Sequence, residues 1–429
     1  MRLLIRGARL LDPAHGVDTT ADLLVDGMTV AAVGVNLAAD QETEIVDGSG
    51  KLLIPGLVDI HVHLREPGRE HKETILTGSR AAAAGGFTAV CAMPNTAPPM
   101  DSPELLAIFT QKASTAPVRC FPIATITRGQ LGVELTDAEQ LVASGAVAFS
   151  DDGEPVKNSA HLLAALQLSE KHGRPLILHC EDKDLTGQGA MHEGDRSRLL
   201  GIPGIPGASE DAMVGRDLAI AASTRARVHI AHVSTAVSLG LIRQAKAAGV
   251  NVTCEVTPHH LTLTHDIVEL HATNTKMNPP LRTREDVEAL REGLIDGTVD
   301  CIATDHAPHH ADEKRTAFTN APFGIVGLET ALPVLVTELV EPGLLPLARL
   351  VELMSSSPAA ILDIPCGGLV AGAVADLTLV DLRLSRAVTA EKFYSKSSNT
   401  PYLGRELRGW PVLTVVEGRI VMKEGVVYA

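Results

Sequence analysis

The stretch VDIHVHLREPG, residues 58–68, runs from an apolar strand into a turn and carries two histidines two positions apart. In an extended chain the side chains at i and i+2 project from one face. His61 and His63 therefore reach toward the same point, and Arg65 continues the row. Neutral imidazole is the commonest protein metal ligand. The same pair also suits two separately hydrogen-bonded histidines at a strand end, so the reading depends on what the rest of the chain brings beside them.

Outward from this stretch the chain keeps a rhythm. Short β-branched runs at 57–62, 87–93, 118–125, 146–151, 175–180, 227–233, 251–256 and 299–305 alternate with Ala/Leu-rich helical segments. Near-continuous apolar strands between helices read as a parallel sheet covered by helices. Eight such units predict an α/β fold, a closed (β/α)₈ barrel of the TIM type. An open doubly wound sheet is the competing architecture, but no Gly-rich phosphate fingerprint follows the first strand. The ends behave differently. Residues 1–54 and 367–429 alternate in short pieces with turns, which predicts antiparallel hairpins pairing into one small β-sandwich-like lobe and leaves 55–366 for the barrel. Two excursions interrupt the rhythm, at 191–211 and 307–324; the polar part at 307–320, beside the eighth strand, is expected to be mobile.

Bulk properties narrow the class. A chain of 429 residues with 45% hydrophobic side chains fits a large barrel with an added lobe. The net charge of −15 argues against a nucleic-acid or anionic-membrane surface. Six cysteines are scattered singly with no CxxC, as expected of small buried hydrophobes in a reducing compartment. The start lacks the apolar core of a secretory leader, and no apolar run has the length of a membrane span. A soluble cytoplasmic protein is expected.

The polar residues fall at one end of the strands. His61 and His63 close the first; Asn95 follows the second; Asp151 and Asp152 close the fourth; His179, His232 and Asp305 close the fifth, sixth and eighth. Barrel active sites are built at this C-terminal face. Nitrogen and oxygen donors without a thiolate suit Zn²⁺, with Mn²⁺ or Co²⁺ as alternatives. Six donors exceed one tetrahedral shell. They suit a carboxylate-bridged pair of metals with a hydroxide nucleophile, since metal binding lowers the pKa of water to near 7. The other histidines read as structural, including His229 in a strand interior and His271. His259 and His260 are placed near the mouth without a ligand role, and His306 and His310 are expected at the surface.

Taken together, VDIHVHLREPG, MPNT, FSDDG, HCED, HIAHVS, KMNPPLR and ATDHAPH resemble the class I bacterial dihydroorotases of the amidohydrolase superfamily, over nearly the whole chain. The resemblance implies one Zn²⁺ on His61, His63 and Asp305 and a second on His179 and His232. Many superfamily members bridge their metals with a carboxylated lysine on strand four. This chain has Ser150-Asp151-Asp152 there, and the resemblance points to an aspartate bridge, Asp152, with Asp151 as the neighbouring alternative. It further implies Asp305 as general acid/base, and Arg65, Asn95 and His309 as the grip on a substrate carboxylate. His63, Asn278 and the backbone at Phe323 and Gly324 complete the substrate contacts. Glu181 and Asp182 are candidates to orient His179. The implied reaction is the reversible closure of N-carbamoyl-L-aspartate to L-dihydroorotate, with a homo-oligomer and an aspartate transcarbamoylase as possible partners. The competing readings are a hydantoinase or allantoinase, a silent scaffold for the transcarbamoylase, and a metal-storage or sensing protein. Arg65 and Asn278 argue against the last.

Overall fold

A computed structural model describes residues 2–269 and 272–428; His271 lies outside them. Eight short strands, Leu57–Val62, Phe87–Ala92, Arg119–Pro122, Phe149–Ser150, Leu176–Leu178, Val228–Ile230, Val252–Val256 and Cys301–Ile302, fall in the eight runs read from the sequence. The first three pair in parallel, as do the last five. Bridges between Ala124 and Phe149 and between Val62 and His306 close the ring.

Helices follow the strands where the apolar periodicity places them, and their ends obey local chemistry. Thr74 and Thr77 form a reciprocal cap on Ile75–Ala84. Asn158 caps Ser159–His172, which stops at Gly173 in the left-handed region (φ 67°). One apolar cluster lies between strands and helices. Another draws Ile60, Cys91, Ile123, Ala148, Ile177 and Cys301 together with Leu362 of the helix Ser356–Leu362. A cluster fed by so many strands at once lies inside the ring.

The two chain ends meet in a single nine-stranded sheet. Arg2–Asp12, Val17–Asp26 and Thr29–Gly34 form the expected antiparallel meander, as do Leu377–Ala387, Glu406–Val416 and Arg419–Lys423. The hairpin expectation is corrected in one respect. Arg2–Asp12 also pairs in parallel with Thr43–Asp47 and with Leu52–Pro55, and Leu52–Pro55 in turn pairs with Leu377–Ala387 and so joins the N-terminal strands to the C-terminal ones. The sheet has its own core, including Leu3, Ile5, Leu23, Leu53, Leu379 and Leu413.

The segment at 307–320 is more tightly held than its polarity suggests. It contains a helical turn, Ala311–Lys314, and the buried Lys314 ammonium donates to the carbonyls of Thr273, Lys276 and Pro322. Lys72 adds an ion pair to Glu313 at 3.0 Å. No helix among the described residues is long and apolar enough to cross a membrane.

Candidate active site

Strand ends bring His61, His63, Asp152, His179, His232 and Asp305 to one mouth, all of them buried. Asp152 stands in the middle. Its Oδ1 is 3.4 Å from His61 Nε2 and 3.7 Å from both His179 Nδ1 and His232 Nε2, and its Oδ2 is 3.5 Å from His63 Nε2. Asp305 Oδ1 lies 3.0 Å from His63 Nε2 and 3.7 Å from His61 Nε2. Asp151 faces away from the mouth. Its carboxylate accepts from the Ile126 and Thr127 amides and the Thr127 hydroxyl, and burial raises its pKa to about 6.

Three acceptors behind the rings set their tautomers. His61 Nδ1–H donates to Glu255, His63 Nδ1–H to Asn95 Oδ1, and His179 Nε2–H to Glu181, at 2.5, 2.8 and 3.0 Å. Asn95 is oriented in turn by its Nδ2, which donates to Asp152. The opposite nitrogens of these three rings, His61 Nε2, His63 Nε2 and His179 Nδ1, face into the mouth. His63 Nε2 meets the Asp305 carboxylate at 3.0 Å, and His179 Nδ1 meets His232 Nε2 at 2.9 Å. Asp182 plays no part here; it caps the short helix Lys183–Thr186.

Electrostatics point the same way. Burial opposes charge on both Asp152 and His61. His61 and His232 nevertheless hold the Asp152 carboxyl well below its usual range, and Glu255 and Asp152 hold His61 well above the imidazole range. The cage demands positive charge. Among the described residues, His61 Nε2 and Asp152 Oδ1 are buried with no hydrogen-bond partner. His61 groups both with Asp152 and His232 and with His63 and Asp305 at distances that suit a metal ion. Orphaned inward donors of nitrogen and oxygen type fit a divalent metal.

The backbone is bent to make this convergence. Arg65, His232 and Asp305 adopt left-handed conformations, with φ of 61°, 35° and 48°. Each costs about 1–3 kcal/mol and persists only where the surroundings enforce it. For Asp305 the enforcing group is the buried Asp59, which accepts from the amides of His61 and Thr304 and so fastens strand one to strand eight.

Beside the cage is a pocket of about 250 Å³, lined by His63, Arg65, Asn95, Asn278, His309, Phe323 and Gly324 among others. The buried Arg65 guanidinium donates through Nε to Pro308 O; burial lowers its pKa to about 10, so it stays charged. His309 accepts from Lys72 at Nδ1 and donates from Nε2 to Phe323 O at 2.7 Å. Burial and the neighbouring Arg65 and Lys72 keep that imidazole neutral. Asn278 donates to Glu181 at 3.1 Å. The Gly324 amide donates to Lys276 O, and a Cβ at Gly324 (φ 126°) would stand 2.7 Å from the Ala307 Cβ, so only glycine keeps this wall of the pocket in place.

Among the remaining histidines, His306 is fully buried rather than at the surface. Its Nδ1 accepts from Gly327 N, and its Nε2 faces Glu73. His310 is exposed, and His259 and His260 are buried on the helix Pro258–Thr262. Sequence reading overlooked Glu255, Lys72 and Asp59. For Glu255 and Asp59 a charged residue inside an otherwise apolar strand was the available signal, because such a group is buried only when paired; Lys72 lies in a polar turn and gave none.

A closed (β/α)₈ barrel with a nitrogen/oxygen cage at its C-terminal face defines an amidohydrolase, a metal-dependent hydrolase of the type that opens cyclic amides. Residues 50–238 match the family model described as dihydro-orotase-like. The chain is 50% identical to a dihydroorotase of Pelotomaculum thermopropionicum over 100% of both chains. It is 47% identical to one of Staphylococcus epidermidis over 98% of this chain and 99% of the relative. Among solved structures it resembles an L-hydantoinase (dihydropyrimidinase) from Arthrobacter aurescens, with a TM-score of 0.88, 27% identity, and coverage of 100% of this chain and 97% of that one. The chain belongs to the dihydroorotase family.

Proposed function

We propose that this protein is a zinc-dependent dihydroorotase, which closes N-carbamoyl-L-aspartate to L-dihydroorotate with loss of water, and reopens it, in de novo pyrimidine (UMP) biosynthesis. The observation that carries this reading is a buried, charged Arg65 in the pocket wall beside a cage of four imidazoles and two carboxylates. Such a pocket suits a cyclic amide that bears a carboxylate. A hydantoin has no carboxylate for Arg65 to hold, which disfavours the hydantoinase reading despite the shared fold.

Two Zn²⁺ per subunit are proposed, one on His61, His63 and Asp305, the other on His179 and His232, with Asp152 between them. Bound metal supplies Lewis acidity to the amide carbonyl and acidifies the attacking water. In ring opening, Asp305 accepts the proton of that water as it adds to the carbonyl carbon. It hands the proton to the ring nitrogen as the C–N bond breaks, and closure reverses both transfers. Arg65 holds the spectator carboxylate with charge-assisted hydrogen bonds. Asn95 and His309 complete the grip, His309 by turning its Nε2–H from Phe323 O to the substrate. His63, Asn278 and the backbone at Phe323 and Gly324 border the ring. A cytoplasmic location is proposed on the six free cysteines, together with a homo-oligomer and an aspartate transcarbamoylase as partners.

The test is turnover of L-dihydroorotate, followed by loss of its ultraviolet absorbance before and after chelation and zinc re-addition. Activity should vanish with the metal and return with zinc. Turnover that survives complete metal removal would overturn the proposal. Arg65→Met should raise KM about 10- to 100-fold, since a hydrogen bond to a charged group contributes about 1.5–3 kcal/mol. A variant with wild-type KM for dihydroorotate would remove Arg65 from the substrate grip.

A further inference from the structure

The seventh barrel strand places Glu255 inside the ring, with no exposed surface. Its Oε1 accepts Nδ1–H of His61 at 2.5 Å and stands 3.3 Å from the backbone N–H of His232. Its Oε2 accepts from His229 Nε2 at 3.1 Å, and His229 Nδ1 meets the Thr253 hydroxyl at 2.8 Å. A buried charge is tolerated only when paired and hydrogen-bonded, and here both carboxylate oxygens are occupied.

His229, Glu255 and Cys301 also lie close enough together to hold a metal. The geometry argues otherwise. Both nitrogens of His229 and both oxygens of Glu255 are already used, whereas His61 Nε2 and Asp152 Oδ1 in the mouth have no hydrogen-bond partner among the described residues. The inner cluster is a hydrogen-bonded anchor, and the outer one is built to take a ligand.

We infer that Glu255 is a positioning residue shared by both metals, an assignment that rests on the metal-dependent reading above. It fixes His61 as the Nδ1–H tautomer, with the Nε2 lone pair aimed into the cage. Through its backbone contact it also supports His232 in its left-handed conformation. Asn95 and Glu181 each orient one ring; Glu255 acts on a residue of each proposed metal position. Its negative charge makes His61 a stronger donor, as carboxylate partners of ligating histidines do.

Glu255→Gln tests this, since it keeps the shape and removes the charge. Zinc should be lost to a chelator about 10- to 100-fold faster than from the wild type, the range for such partners, with both equivalents affected. The visible spectrum of the cobalt-substituted protein should shift, and kcat should fall with KM for dihydroorotate near wild type. Glu181→Gln should accelerate the loss of one equivalent only. Glu255→Asp, which keeps the charge but withdraws it from His61, guards against misfolding of the neutral variant. Wild-type zinc release and a wild-type cobalt spectrum in whichever variant folds would overturn the assignment. A wild-type protein that retains no metal would instead defeat the metal-dependent reading itself, and this inference with it.

Discussion

Replacing Asp305 by asparagine is expected to lower kcat by about 10²–10⁴-fold, the usual contribution of a positioned general acid/base, while leaving the fold unchanged. Asparagine is the informative substitution because of the backbone. Asp305 sits at φ 48°, a conformation that asparagine tolerates and alanine adopts at a cost of about 1–2 kcal/mol. Asp305→Ala should therefore abolish turnover as fully and also lower the melting temperature. Dihydroorotate turnover together with thermal unfolding separates the two effects. The side chain faces His63 and His61 and, among the described residues, makes no hydrogen bond to the backbone, so the amide should cost little stability. The nearby backbone is held by Asp59, which neither substitution touches. Full activity in Asp305→Asn would exclude this carboxylate as the proton carrier.

What the sequence disclosed follows from the kind of interaction involved. The eight strands were legible because a strand buried on both faces is apolar at most of its positions, a local property of each run. The meeting of His61, His63, Asp152, His179, His232 and Asp305 was legible because a barrel gathers its strand ends, so position within each run sufficed. The parallel pairing of Arg2–Asp12 with Thr43–Asp47 and Leu52–Pro55 was not legible. All three strands come from the N-terminal end, and alternation alone reads the same in parallel and antiparallel strands. The grip on the loop at 307–320 was hidden for a similar reason. Lys314 looks like a surface lysine until the carbonyls of Thr273, Lys276 and Pro322 are seen around it. His306, likewise, is paired inside the fold with the Gly327 amide and with Glu73, partners remote in sequence.

The neighbouring aspartates of the SDDG turn should respond in opposite ways. Asp152 has one oxygen with no hydrogen-bond partner, surrounded by imidazoles. Asp151 spends both oxygens on Ile126 and Thr127. Asp152→Ala should therefore abolish turnover and remove the thermal stabilisation that zinc gives the wild type. That stabilisation grows as RT ln(1 + [L]/Kd) and needs the site to be intact. Asp151→Asn should keep zinc stabilisation and most activity but lower the stability of the metal-free protein by about 1–3 kcal/mol, because its amide group would face donors it cannot accept. The pair is a cross-check, since each variant controls for the local disturbance caused by the other. Melting temperatures with and without zinc, set beside bound-metal content, read both effects in one series. Zinc stabilisation lost in Asp151→Asn but kept in Asp152→Ala would move the bridge to Asp151. The geometry speaks against that outcome, because the Asp151 carboxylate accepts from Ile126 and Thr127 while that of Asp152 stands among the imidazoles. Only one can look into the mouth, and the other is already committed to holding the loop at Ile126–Thr127 in place.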